Sequence, residues 1–124
     1  MNKKLKEYRE ARELMKKHVH SASTKPLSGF VTLEKTTMSE GVLSVREKAM
    51  HALTASLVLK SDDSIRMSLE RCLKHGVTPG QISEIFSIAC LTGGSIVMPH
   101  VAKAMEYLEL LQHEKQSVMA HYYL

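Results

Sequence analysis

Three serines, Ser61, Ser64 and Ser68, stand at i, i+3 and i+7, a spacing that sets them along one face of a helix. They border an apolar stripe of Ile65, Leu69, Cys72 and Leu73, so the hydroxyls are expected to face neighbouring helices. Hydroxyls so placed can cap the helix, bond back to the preceding turn or hold a small polar ligand. A nucleophilic serine needs a base within reach, and no spacing here supplies one. Of the seven histidines, His18, His20, His113 and His121 fall in polar or terminal segments, and His75 sits in a last helical turn before Gly76. That leaves His51, inside the most apolar segment, and His100, which follows Pro99 after a glycine pair. These two are the candidate acid–base residues, although each also reads as a core or interface histidine. Neither H-x-x-H nor H-E-x-x-H occurs, so no metal and no cofactor are expected. Cys72 and Cys90 are too far apart for a C-x-x-C motif, and both lie on apolar stripes as buried thiols.

The elements that must carry these residues are all helical. Leu5, Tyr8, Met15 and Val19 form one stripe of a charged helix from Lys4 to about His18. A polar connector over 21–26 leads to a weaker helix with Leu27, Phe30, Val31 and Met38, closed by Gly41. Ser44 and Glu47 form a capping box opening the next helix. Between Ala49 and Leu59 that helix is apolar nearly all round, which predicts packing on several sides, part of it against another subunit. Lys60 to Asp63 breaks the chain, with Ser61 or Asp62 as the next cap and the acids over the positive end of the helix dipole. Gly76 ends that helix, and Thr78-Pro79-Gly80-Gln81 starts the next, whose buried face is Ile82, Ile85, Phe86, Ala89 and Cys90. After Gly93-Gly94 a last helix buries Val101, Ala104, Met105, Leu108 and Leu111. No strand pattern or repeat appears. The expected fold class is all-α, about six helices in one domain over 1–124.

Composition agrees. The chain has 124 residues, 44% of them hydrophobic, no Trp and only two Phe, with eight Met to fill its core. A net charge of +4 could suit nucleic acid. Here the N-terminal positives alternate with acids at i,i+4 (Lys6/Glu10, Arg9/Glu13, Glu13/Lys17), as on a solvated helix face, and no base-reading motif accompanies them. Neither nucleic acid nor a membrane is expected as a partner. The longest weakly charged run, 85–98, is too short to span a bilayer. No apolar run follows the N-terminal lysines, so the expected location is the cytoplasm, with both thiols reduced.

The segment from Leu43 to Leu108 resembles the carboxymuconolactone decarboxylase / alkyl hydroperoxidase D-like family. Gly76, Thr78, Ile82, Glu84, Ala89, Gly93 and Gly94 fall in register on that family's marks. The resemblance implies the alkyl hydroperoxidase D-like helical fold, assembled as a trimer or hexamer; the all-round apolarity of 49–59 in so small a chain places that helix and the final helix in the expected subunit contacts. Redox members carry C-x-x-C-x-x-x-H at a helix start, where the dipole favours thiolate and a second sulfur one turn on resolves the oxidised first. A Glu on the preceding helix relays protons with the His. Carried over by position, the sulfurs fall on Ser61 and Ser64, the His on Ser68 and the Glu on Ala49. Serine cannot cycle through sulfenic acid and disulfide. Glu47 does not replace the missing acid, because two residues along a helix it points roughly 200° around the axis. The decarboxylase branch also places its His at Ser68. What the resemblance implies is therefore a non-peroxidase relative with a residual small-molecule pocket. The alternative is an enzyme with altered acid–base chemistry, decarboxylase- or isomerase-like, using His100 or His51.

Overall fold

The computed structural model describes residues 2–21 and 24–123. Among them are six α-helices and no strand: α1 (Lys3–Ser21), α2 (Lys25–Thr37), α3 (Val45–Val58), α4 (Asp62–Lys74), α5 (Pro79–Gly93) and α6 (Met98–Tyr123). A single 3-10 turn, Ser95–Val97, precedes α6. The residues group into two compact units, Met1–Ser39 with Gln112–Leu124, and Glu40–Leu111.

In the first unit, the Asn2 side-chain oxygen caps α1 by accepting from the Lys4 and Leu5 backbone N–H groups at 2.8 and 3.3 Å. Lys6 and Glu10 form the expected i,i+4 pair at 3.9 Å. Glu13, however, pairs with Lys16 rather than the expected Lys17, and Arg9 makes a two-pronged bond to Glu114 in the second half of α6, at 2.7 and 3.0 Å. This guanidinium holds the Glu114 carboxyl below the usual range, against the opposing effect of burial. Pro26, expected in the connector, lies instead in the first turn of α2, where its missing N–H costs nothing. No residue of α2 is buried in the monomer, and Phe30 is 67% exposed.

The second unit holds most of the core. Helix α3 packs on both α4 and α5. Its buried residues are Ala49, Leu53, Ser56 and Leu57, a single stripe rather than the whole circumference, and Leu59 beyond its end is 75% exposed. Ile65, Leu69 and Cys72 of α4 and Ile82, Ile85, Phe86 and Ala89 of α5 are buried as expected. Cys90 is only half-buried. On α6, Val101, Ala104, Leu108 and Leu111 are buried as expected; Met105, also expected in the core, is exposed, and Tyr107 is buried.

Local chemistry explains the boundaries. Both capping boxes form: Glu47 N–H donates to Ser44 Oγ and Ser44 N–H to Glu47 Oε1, each at 3.0 Å, and Thr78 and Gln81 repeat the arrangement on α5. The Gln81 carbonyl also accepts from the Arg46 guanidinium, joining the start of α5 to the start of α3. Helices α3 and α4 both end in Schellman turns. Val77 N–H bonds Cys72 O at 2.9 Å with Gly76 left-handed at φ 79°, and Ser61 N–H bonds Ser56 O at 3.1 Å with Lys60 left-handed at φ 58°. Gly93 and Gly94 are required for different reasons. A Cβ on Gly93 would lie 2.5 Å from Cγ2 of Val97, a fully buried residue. Gly94, at φ 84° and ψ −179°, occupies a region essentially closed to other residues.

Opposite outcomes are expected at two of these positions. Gly93→Ala should destabilise the protein by about 1–3 kcal/mol, because Val97 is stiff and has nowhere to move. Lys60→Gly should stabilise it by roughly 0.5–1 kcal/mol, since left-handed backbone strains a side chain but not glycine. Urea unfolding midpoints of the two variants check both signs.

Candidate functional site

The positions singled out on α4 separate by depth. Ser61 is the N-cap residue of α4, half-buried, and its hydroxyl makes no capping bond. Ser64, expected to face neighbouring helices, is exposed. Ser68 is buried, and its hydroxyl lies 3.4 Å from that of Ser56 on α3, which in turn donates to Ala52 O at 2.6 Å. Two buried polar side chains thus satisfy each other across the α3–α4 contact. Ala49 is fully buried on the same stripe of α3 as Ser56. A carboxylate at position 49 would have to be desolvated there.

The two candidate histidines also part company. His51 is exposed, and two residues from Ala49 and from Leu53 it projects away from the buried stripe of α3. His100, in the first turn of α6, reaches back to the head of α4. Its Nδ1 lies 2.8 Å from Oδ1 of Asp62, the residue after Ser61. The other carboxylate oxygen, Oδ2, accepts from Lys103 Nζ at 3.3 Å. His100 and Lys103 are one turn apart on α6, so a single face of that helix holds both oxygens of one carboxylate. Burial works against ionisation of Asp62, but the hydrogen bonds from His100 and Lys103 and their charge outweigh it and hold the carboxyl below its usual value. On sequence grounds Asp62 is a cap candidate and an acid over the helix dipole; in the structure the N-cap is Ser61. The only signal for its second role was its place beside Ser61, since its partners lie 38 and 41 residues away.

The thiols lie elsewhere. Cys72 is fully buried on α4, and burial pushes its thiol up to about 11 against a smaller opposing effect of the Arg46 guanidinium. No group of three or more metal-ligating His, Cys, Asp or Glu side chains occurs among the described residues, and no helix there is long and apolar enough to cross a membrane.

Two measurements follow. Cys72 should stay unreactive toward a thiol reagent at pH 8 until the protein unfolds, whereas Cys90 should react in the native state; mass spectrometry of the labelled peptides separates them. For Asp62, the folded-state pKa is lowered, so its contribution is complete above the unfolded value of about 3.9 and is lost as pH falls through the lower folded value. Asp62→Asn should therefore cost about 1 kcal/mol at pH 7, with the gap to the native protein closing below about pH 4.

The profile of the carboxymuconolactone decarboxylase family matches residues 26–107. Two crystal structures of a Thermotoga maritima protein superpose with TM-scores of 0.87 and 0.85, at 37% and 36% identity. Each covers 90% of this chain, and 98% and 94% of theirs respectively is matched. One of the two is described as a member of the same family. A Legionella pneumophila family protein shares the fold at 18% identity, with a TM-score of 0.78 over 87% of this chain and 96% of its own. No functionally curated protein matches. Matched by the profile over most of its length, and by the Thermotoga structures nearly end to end, the chain belongs to the carboxymuconolactone decarboxylase family.

Proposed function

We propose that this chain is a non-peroxidase member of its family, a homo-oligomer that keeps the helical frame and a small-molecule site at the head of α4. The observation that carries this reading is the pair of hydroxyls at the head of α4. Where the resemblance places two sulfurs, the chain has Ser61 at the N-cap and Ser64 one turn on. An alcohol forms neither a sulfenic acid nor a disulfide. The deeply buried Cys72, with its raised pKa, offers no thiolate in their stead. An involvement in antioxidative response has been suggested for the Thermotoga relative. For this chain such a role would have to avoid dithiol chemistry at these positions.

A second reading, acid–base catalysis, is favoured by the contact between His100 and Asp62. It places a histidine with a bound carboxylate next to the site rather than at Ser68. Of the two candidate bases, His100 alone has this support, since His51 lies on the exposed side of α3.

Peroxide consumption with a dithiol donor should be absent in the native protein. The Ser61→Cys/Ser64→Cys variant should form a disulfide within the first turn of α4, since residues three apart there fall within disulfide reach. The further changes Ala49→Glu and Ser68→His restore the relay, worth about 10²–10⁴-fold per acid–base group in related chemistry. Turnover by the native chain that survives mutation of both Cys72 and Cys90 would overturn the non-peroxidase reading.

Assembly rests on apolar surface left open in the monomer. Leu59, Ile88, Leu91, Ile96 and Met98 are each at least half exposed, and Leu91 reaches 85%. Exposed apolar side chains in this number support a subunit contact. Sedimentation velocity at micromolar concentration should show a trimer or hexamer, and Leu91→Lys should shift it to smaller species. A stable native monomer would exclude the oligomer.

A further inference from the structure

Asp62 opens α4 and does not cap it; both of its oxygens are committed to α6. Oδ1 lies 2.8 Å from His100 Nδ1 and Oδ2 lies 3.3 Å from Lys103 Nζ. An ionised carboxylate can only accept, so the imidazole nitrogen facing it must carry the proton. Lys103 adds a second reason for the carboxylate to remain ionised. Among the described residues Nε2 of His100 has no hydrogen-bond partner, and the side chain keeps 22% of its surface open to solvent. The arrangement therefore has one nitrogen held and the other available.

We propose that Asp62 is a positioning residue that fixes His100 as the Nδ1–H tautomer and leaves Nε2 as the proton-accepting atom of the site, acting on a small carbonyl compound with an acidic C–H. This rests on the acid–base reading above and adds the residue that orients the base. In the step itself Nε2 takes the proton from the carbon next to the carbonyl. The C–H electron pair becomes the C=C bond of an enolate as the carbonyl π pair moves onto oxygen. The imidazolium, its Nδ1–H still bonded to Asp62, then returns a proton to carbon. No oxidant or reductant enters. Other charged groups at the head of α4 are Asp63, already bonded to Arg66, and the positive end of the helix dipole, which favours the developing oxyanion.

Nitrogen-15 NMR of the protein labelled at histidine tests the positioning directly. At pH 8 His100 should appear as the Nδ1–H tautomer in the native protein and in Lys103→Ala. In Asp62→Ala it should move toward the Nε2–H form that free histidine prefers, and Asp62→Glu should restore part of the native signal. Acylation by diethyl pyrocarbonate, followed at the His100 peptide by mass spectrometry, should slow by about tenfold in Asp62→Ala, the low end of what losing the hydrogen-bond partner of a metal-ligating histidine costs. Thermal unfolding of each variant confirms that it is folded. An Nε2–H tautomer in the native protein, or acylation unchanged in folded Asp62→Ala, would overturn the positioning role. Deuterium exchange into the methyl group of pyruvate separates this from the acid–base reading. The native protein should exceed His100→Ala by about 10²-fold, the low end of an acid–base contribution. Equal exchange alongside a native Nδ1–H tautomer would remove the acid–base reading while leaving the orientation of His100 by Asp62 in place.

Discussion

The one buried stripe of α3 packs against both α4 and α5, and the rest of the second unit follows from that packing. The chain has few aromatics with which to fill space, so its helices meet through small residues as well as Leu and Ile. Ala49 and Ser56 on α3, Ser68 on α4 and Ala89 on α5 are all buried. Close approach of this kind increases dispersion contacts but removes room for large polar side chains. Where the two serines meet, the polar groups are satisfied by each other and by the Ala52 carbonyl. That is how a contact otherwise made of hydrocarbon tolerates hydroxyls.

The same packing sets the turn from α3 to α4. The Schellman bond from Ser61 N–H to Ser56 O closes α3, and Lys60 accepts a left-handed backbone to make it. The head of α4 is thereby presented at the edge of the unit rather than in its interior, which is why Ser61 is half-buried and Ser64 exposed while Ser68 is covered. At the other end of the unit, the close approach of Gly93 to Val97 and the extended Gly94 let α6 start where its first turn reaches that same edge. His100 and Lys103 meet Asp62 as a result of these two turns taken together.

Positions 49 and 68 lie in the packed layer, where Ala and Ser fill space that a Glu and a His would have to share with desolvated charge. Positions 61 and 64 lie at the rim, where a change between sulfur and oxygen alters chemistry with little effect on packing. His100, with its carboxylate partner Asp62, also lies at the rim.

The sequence alone determined the features whose partners are close along the chain. The Ser44–Glu47 and Thr78–Gln81 boxes, the glycine breaks and, apart from Leu73 and Cys90, the buried stripes of α4 and α5 form as expected because a cap spans three residues and a stripe repeats every three or four. It also showed the absence of sulfur at 61 and 64, since that is a matter of identity and not of geometry. Tertiary structure alone decided which positions on a shared helix face are covered, because a face is buried only where a neighbouring helix runs beside it. For this reason Ser64 and Ser68 differ, Cys90 is half-open, Tyr107 is buried while Met105 is exposed, and His51 lies outside. The bond from His100 to Asp62 belongs to the same category. It joins residues 38 apart, and no local periodicity encodes a contact that exists only after two turns and three helices have taken their places.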